Sequence, residues 1–194
     1  YVVEGSIQRS GNHVRINASL TDAKTGFQLW AKRLDREFKD LFALQDDTAE
    51  GIIGALKVEL TDEERRQLSK QYTTSLEAYD LYLRAWGELW RFNAAGRMEA
   101  QKYLHQALLL DPDFALAMSI LATSYTNRNG DAILNNEAML DRALDLAQQA
   151  RRIDPNLPAV QASLGLVHMF RREFDAAEKA FSQAIEMDPN YADA

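Results

Sequence analysis

The feature that most restricts this chain is a phrase written three times, as LLLDPDFALA, RRIDPNLPAV and IEMDPNYADA. Proline lacks the amide that would continue a helix and biases the residue before it away from helical backbone angles, so each Asp-Pro step closes a helix. The three prolines, Pro112, Pro155 and Pro189, stand 43 and 34 residues apart. Upstream of Pro189, the small residues Gly165, Ala177 and Ala184 are interspersed with the larger Leu164 and Phe181. That mixture suits two helices that approach closely at the small positions, while the large side chains fill the grooves beside them. The second-helix part of the pattern recurs as Ala143, Ala147 and Ala150 before Pro155, and as Ala100, Leu104 and Ala107 before Pro112. A repeat of this length is one supersecondary unit, which buries its apolar face only by stacking on its neighbours.

These residues resemble the tetratricopeptide repeat, a helix-turn-helix unit, and the resemblance implies three units at about 78–114, 115–157 and 158–191. Leu121, Ala122 and Tyr125 fit the first helix of the middle unit, which is nine residues longer than the last. The excess falls in TNRNGDAILNNEAMLD, where Asn, Gly and Asp mark a turn, so a nine-residue loop insertion is expected. The first unit admits two registers for its first helix: Gly87 and Glu88 at the close-packed positions, or a frame three residues earlier with Ala85 there. Thr74-Ser-Leu-Glu77 has the form of a capping box that starts this helix. Asp113, Asn156 and Asn190 are placed to cap the helices after each proline, with Tyr191 to Ala194 opening a further one.

The first 73 residues follow other periods. From Tyr1 to about Phe38, apolar residues alternate with polar ones: Val3 and Ile7, then Val14, Ile16, Ala18 and Leu20, then Phe27, Leu29 and Ala31. Ser10-Gly11-Asn12 and Lys24-Thr25-Gly26 interrupt the runs, which predicts three antiparallel strands joined by hairpins, each with one face buried. Leu41, Leu44, Thr48, Ile52, Ala55, Leu56 and Leu60 then recur every three or four residues, which predicts an amphipathic helix over about 40–60 that covers the sheet. Thr61-Asp-Glu-Glu64 is a second capping box, opening a connector helix over 62–70.

YVVEGS at the start, Val14-Arg-Ile16, Leu20-Thr-Asp22, Leu29-Trp-Ala31 and Phe42-Ala-Leu-Gln-Asp46 together resemble the second half of a TolB-type amino-terminal domain. Such domains precede helical repeats in bacterial class III adenylate/guanylate cyclases and in membrane-anchored winged-helix regulators. The resemblance implies that an earlier strand-and-helix half belongs before this one, and that without it the sheet has an open edge. The expected fold class is therefore α+β: a short three-stranded antiparallel sheet with a covering helix over 1–73, then an all-α solenoid of three helical hairpins over 74–194. The start on YVVEGSI, without Met, and the stop at NYADA suggest a piece of a longer protein.

Charge narrows the partners. The net charge is −7, with 11 Lys/Arg against 12 Asp/Glu through Lys70 and 11 against 17 beyond it. A nucleic-acid backbone or an anionic membrane would meet net repulsion, so neither is expected as a partner. No cysteine is present, which removes disulfides, thiolate nucleophiles and Cys-ligated metals. No apolar run approaches the length of about 20 residues that crosses a bilayer. The expected compartment is cytoplasmic, or periplasmic if the parent is a membrane-anchored regulator.

No constellation suggests catalysis. His13, His105 and His168 are not spaced as metal ligands and are read as structural or solvated, with His105 on the exposed side of its helix. Asp46-Asp47 and Asp62-Glu63-Glu64 are adjacent residues, which diverge on a helix and suit helix starts better than acid/base work. There is no Gly-rich phosphate loop and no nucleophile elbow. No catalytic residue, metal or cofactor is expected.

The functional surface implied by the repeat resemblance is the inner face of the solenoid. The candidate protein-binding residues are Tyr82, Leu89 and Phe92 in the first unit, Leu116, Ser119, Thr123 and Thr126 in the middle one, and Ala162, Leu166 and Met169 in the last. No Lys or Arg stands among them, so the expected guest is an apolar peptide or helix, or a second copy of the chain, rather than a carboxy-terminus. The competing reading is that Phe92, Leu166 and Met169 pack on adjoining helices of the same chain. The function expected is a non-catalytic interaction module of a larger bacterial signalling protein. The alternatives are a fragment of an adenylate/guanylate cyclase that lacks the catalytic domain, or the sensor region of a membrane-anchored transcription regulator.

Overall fold

The computed structural model describes residues 1–57, 59–68, 70–126 and 137–191, and the chain divides into two compact units, Tyr1–Gln71 and Tyr72–Ala194. The fold class is α+β, with an open three-stranded antiparallel sheet followed by helices.

In the first unit, β1 (Val2–Ser10), β2 (His13–Thr21) and β3 (Gln28–Glu37) pair in the order β1-β2-β3. Gly11 turns the first hairpin with φ 59°, a conformation that a side chain would resist. The second turn is held by Asp22, whose carboxylate accepts from the amides of Lys24 (2.8 Å) and Thr25 (3.0 Å). Along β2 the expected alternation holds, with Val14, Ile16, Ala18 and Leu20 buried. The helix α1 (Leu41–Leu56) packs on β2 and β3, burying Leu41 and Leu44. Gly51 of α1 leaves room for the Trp30 indole, whose ring would lie 2.5 Å from a Cβ at that position.

On β3 the expected face is wrong, and on β1 the expected burial is. Phe27, Leu29 and Ala31 are exposed, whereas Leu34 is buried and Trp30 half-buried. The cause is a bulge: Leu20 pairs with Trp30 but Thr21 pairs with Gln28, so Leu29 is an extra residue that reverses the alternation. Val3 and Ile7 pair with Leu20 and Ile16 and so share the covered face, yet both stay exposed. The helix α1 ends earlier than expected, at Lys57 with φ 54°, which leaves Leu60 outside it. A short α2 (Asp62–Leu68) follows, opened by the expected capping box. There the Glu64 carboxylate accepts from the Thr61 amide (2.8 Å), and the Thr61 hydroxyl oxygen accepts from the Glu64 amide (3.2 Å).

The second unit consists of α3 (Leu76–Leu89), α4 (Ala94–Leu110), α5 (Ala115–Tyr125), α6 (Glu137–Ile153), α7 (Pro158–Phe170) and α8 (Phe174–Met187). They pack as hairpins, α3 on α4, α5 on α6 and α7 on α8, with α5 also meeting α7. The small residues sit where the helices touch: Ala85, Ala100, Ala107, Ala143, Ala147, Ala150 and Ala184 have no exposed surface. Gly165 lies against the Phe181 ring, which a Cβ there would approach to 2.7 Å.

Each Asp-Pro works as expected, but the capping does not. Asp111 and Asp188 leave the helix in extended conformation while their amides still bond to Ala107 and Ala184. Their side chains then accept from the amides of Asp113 (3.1 Å) and Asn190 (2.9 Å). These two aspartates shape the turns, and α5 and α7 start after Phe114 and Leu157 with no side-chain cap, so Asp113 and Asn156 do not cap them. Phe114 and Leu157 instead plug the core. The cap of α3 is Ser75 rather than Thr74: its hydroxyl accepts from the Ala78 amide (3.2 Å). Thr73, two residues before the cap, accepts from the Ser75 amide and donates to the Asp111 carboxylate (2.5 Å).

The first-unit register is also decided. Ala85 is fully buried, whereas Gly87 is exposed with no atom near where a Cβ would be. Ala85 and Ala100 are 15 residues apart, against 12 for Gly165 and Ala177. The left-handed residues Phe92 and Arg172 each lie two places before the next helix, so the three extra residues fall in the first turn of α4. That turn contains Gly96, where a methyl would collide with the Glu88 carbonyl. The proposed nine-residue insertion, like residues 192–194, lies outside the described residues.

Candidate functional site

The second unit carries a groove of about 640 Å³. One wall is the end of α3 (Trp86, Leu89), the following turn (Trp90, Phe92, Asn93) and Arg97 of α4. The rest of the lining comes from α5 and α7, and Tyr191 contributes beyond α8. The serines and threonines on the α5 and α7 side do not make it a donor-rich surface. Ser119 donates to the Ala115 carbonyl (2.9 Å), Thr123 to Ile120 (2.9 Å), Thr126 to Thr123 (2.7 Å) and Ser163 to Val160 (2.8 Å). Their protons are thus committed to their own helices, which leaves little to solvate a polar guest there.

An aromatic row along α3 ends in this wall. Tyr79 stacks on Tyr82 at 5.9 Å, Tyr82 meets Trp86 edge-on at 6.5 Å, Trp86 lies 6.5 Å from Trp90, and Trp90 meets Phe92 edge-on at 5.6 Å. These separations lie in the range that favours edge-to-face and offset contacts. The row runs outward from the core, and its far end is open: Trp90 is 66% exposed and Phe92 72%.

Seven of the ten candidate residues line this groove together: Leu89, Phe92, Ser119, Thr123, Thr126, Ala162 and Leu166. Tyr82, Leu116 and Met169 do not. Tyr82 is core, in contact with Phe114 at 5.3 Å, and burial pushes its phenol far above the ordinary value. Leu116 packs between the two apolar clusters of the unit. Met169 is 40% exposed and lies off the groove lining. Ser119, Thr126 and Ala162 are themselves buried, so they back the groove rather than project into it. Among the lining residues missed are Trp86, Trp90, Arg97 and Tyr191. The first two were legible in the three-to-four spacing of Tyr79, Tyr82, Trp86 and Trp90. Arg97 was not, because it comes from a second helix.

Two of the three histidines, His105 and His168, are held by side-chain neighbours, and His13 is exposed. His105 is half-buried rather than exposed, its Nε2 2.8 Å from the Tyr125 hydroxyl, and burial together with the Arg142 charge lowers its pKa. His168 Nδ1 lies 2.6 Å from Glu173, which also accepts from Arg171 (2.9 Å). Arg171 in turn pairs with Asp141 of α6, so this chain of charges joins α6 to the turn between α7 and α8. Bonds from His168 and Arg171 hold the Glu173 carboxyl below the usual range. Among the described residues no three His, Asp or Glu side chains converge as metal ligands, and no helix is long and apolar enough to cross a membrane.

No family model matches the chain. Over 184 residues, 93% of the chain, it is 41% identical to a protein of Rhizobium meliloti (strain 1021) named "Putative adenylate cyclase 3". The chain spans 31% of that relative's length.

Proposed function

We propose that the chain is a non-catalytic, protein-binding part of a larger bacterial signalling protein of the adenylate cyclase type. Its second unit acts as a tetratricopeptide domain whose groove receives an apolar peptide or helix. The single observation that carries this reading is the open aromatic wall of the groove, where Trp86, Trp90 and Phe92 line the same cavity as Leu166. Tryptophan, tyrosine and arginine dominate the energetics of protein interfaces, and all three line this groove. The hairpins, with alanines and Gly165 at their helix contacts, support the repeat assignment. The cyclase parentage rests on the likeness to the Rhizobium protein, and the first unit is read as the second half of a TolB-type domain.

The test uses a library of end-blocked dodecapeptides of Ala, Leu, Phe and Trp. The chain binds it, and Leu166→Asp loses that binding with its helical circular dichroism and urea midpoint unchanged. Unfolding of the variant would instead assign Leu166 to the core. The purified chain is expected to turn over neither ATP nor GTP with Mn²⁺ where an intact cyclase does, and measurable turnover would refute the non-catalytic part. Self-association is the other use of the same surface, and light scattering across a concentration series reads it directly.

A further inference from the structure

Resting on the groove reading above, we infer that the occupant of the groove is an apolar segment carrying one internal Asp or Glu side chain, which pairs with Arg97. Among the described residues Arg97 is the one charged residue on the lining, and it is half-buried in a groove that Trp86, Trp90 and Phe92 also line. Its neighbours are matched: Arg84 pairs with Asp80 (2.8 Å), Arg91 with Glu88 (3.2 Å) and Lys102 with Glu99 (2.7 Å). Among the described residues no carboxylate pairs with Arg97. The sequence explains why: three and four places away along α4 stand Ala94, Asn93, Ala100 and Gln101, none of them acidic. Nor does its position offset the charge, because a cation in the first turn of a helix is disfavoured by the backbone dipoles.

The rest of the lining sharpens the choice of guest. The hydroxyl protons of Ser119, Thr123, Thr126 and Ser163 are committed to helix carbonyls, so the guanidinium is the group that offers strong donors to a carboxylate. An arginine with partly desolvated aromatic neighbours retains more of its pairing energy than one in open water. The net charge of −7 argues against a polyacidic tail, which the whole chain would repel. One carboxylate flanked by large apolar side chains meets both conditions: the flanks cover the aromatic wall and the single acid meets the single cation.

The experiment compares three dodecapeptide libraries of Ala, Leu, Phe and Trp by fluorescence polarisation with the whole chain. One has a fixed central Glu and blocked ends, one a central Gln and blocked ends, and one a central Gln with a free carboxy-terminus. Glu is expected to bind about tenfold more tightly than blocked Gln, the size of one charge-assisted pair at a half-buried site. In Arg97→Gln that ratio falls to about one while binding of the blocked Gln library persists, since the apolar wall is untouched. Equal binding of the Glu and blocked Gln libraries to the wild-type chain overturns the inference but leaves the groove reading standing. Preference for the free carboxy-terminus alone overturns it in favour of end recognition. No binding of any library overturns both readings. The wild-type ratio decides the matter even if Arg97→Gln does not fold.

Discussion

Close packing at Gly165 can be weighed against a matched control within the same unit. At Gly165 an added methyl would lie 2.7 to 2.9 Å from three atoms of the Phe181 ring, inside any real carbon contact. At Gly87, also within a helix, the same methyl meets nothing within 4 Å. Replacing glycine by alanine within a helix stabilises by about 1 kcal/mol through backbone entropy and propensity, and that contribution is common to both sites. Forcing an extra methyl into a packed contact costs about 1–3 kcal/mol. Gly87→Ala is therefore expected to raise the unfolding free energy by about 1 kcal/mol. The difference between the two variants isolates the packing cost, leaving Gly165→Ala the less stable by about 1–3 kcal/mol. Urea unfolding followed at 222 nm is the suitable assay, because the helices of the second unit dominate that signal, whereas tryptophan fluorescence mixes in Trp30 of the first unit. If both variants gain equally, the Phe181 ring yields at no cost and the helices of the last hairpin are not held by close approach at this point.

Four further expectations follow from single contacts. Ser75→Ala removes the hydroxyl that caps α3 and costs about 1 kcal/mol in urea unfolding, whereas Thr74→Ala changes little. Gly51→Val drives two methyls into the Trp30 ring and unfolds the first unit at lower urea, read by the β-sheet amide exchange of β2 and β3. The folded His105 binds its proton less readily than the unfolded one, so protonation favours unfolding and stability rises with pH through the imidazole range. His105→Gln should flatten that slope between about pH 5 and 7, and its NMR midpoint in the wild-type chain should lie below the ordinary imidazole value. The Glu173 carboxyl shifts in the same downward direction but is an acid, so its contribution is present above the ordinary carboxyl pKa and is lost as the pH falls through the folded value. Glu173→Gln is expected to remove that acid-side loss without affecting the His105 slope.

Legibility in the sequence followed the kind of interaction involved. Helix stops written as Asp-Pro and contacts written as alanines depend on residues close in sequence or on one helical face, and these appeared where expected. The face of β3 and the burial of β1 did not, because a one-residue bulge at Leu29 and the reach of α1 are set by the partner strand and helix rather than by the strand's own alternation. Ser75 was passed over for Thr74 because both fit a capping pattern, and backbone geometry decides between them. The same distinction explains the groove. Leu89, Thr123 and Leu166 share one helical period and were found together, but Arg97 reaches the lining only because α4 carries three extra residues in its first turn and Gly96 lets that turn close on α3. A charge placed by an irregularity of the repeat escapes any reading based on the repeat. On the proposed binding reading, the part of the groove that would distinguish one guest from another is therefore expected at the irregular first turn of α4 rather than on the regular inner face.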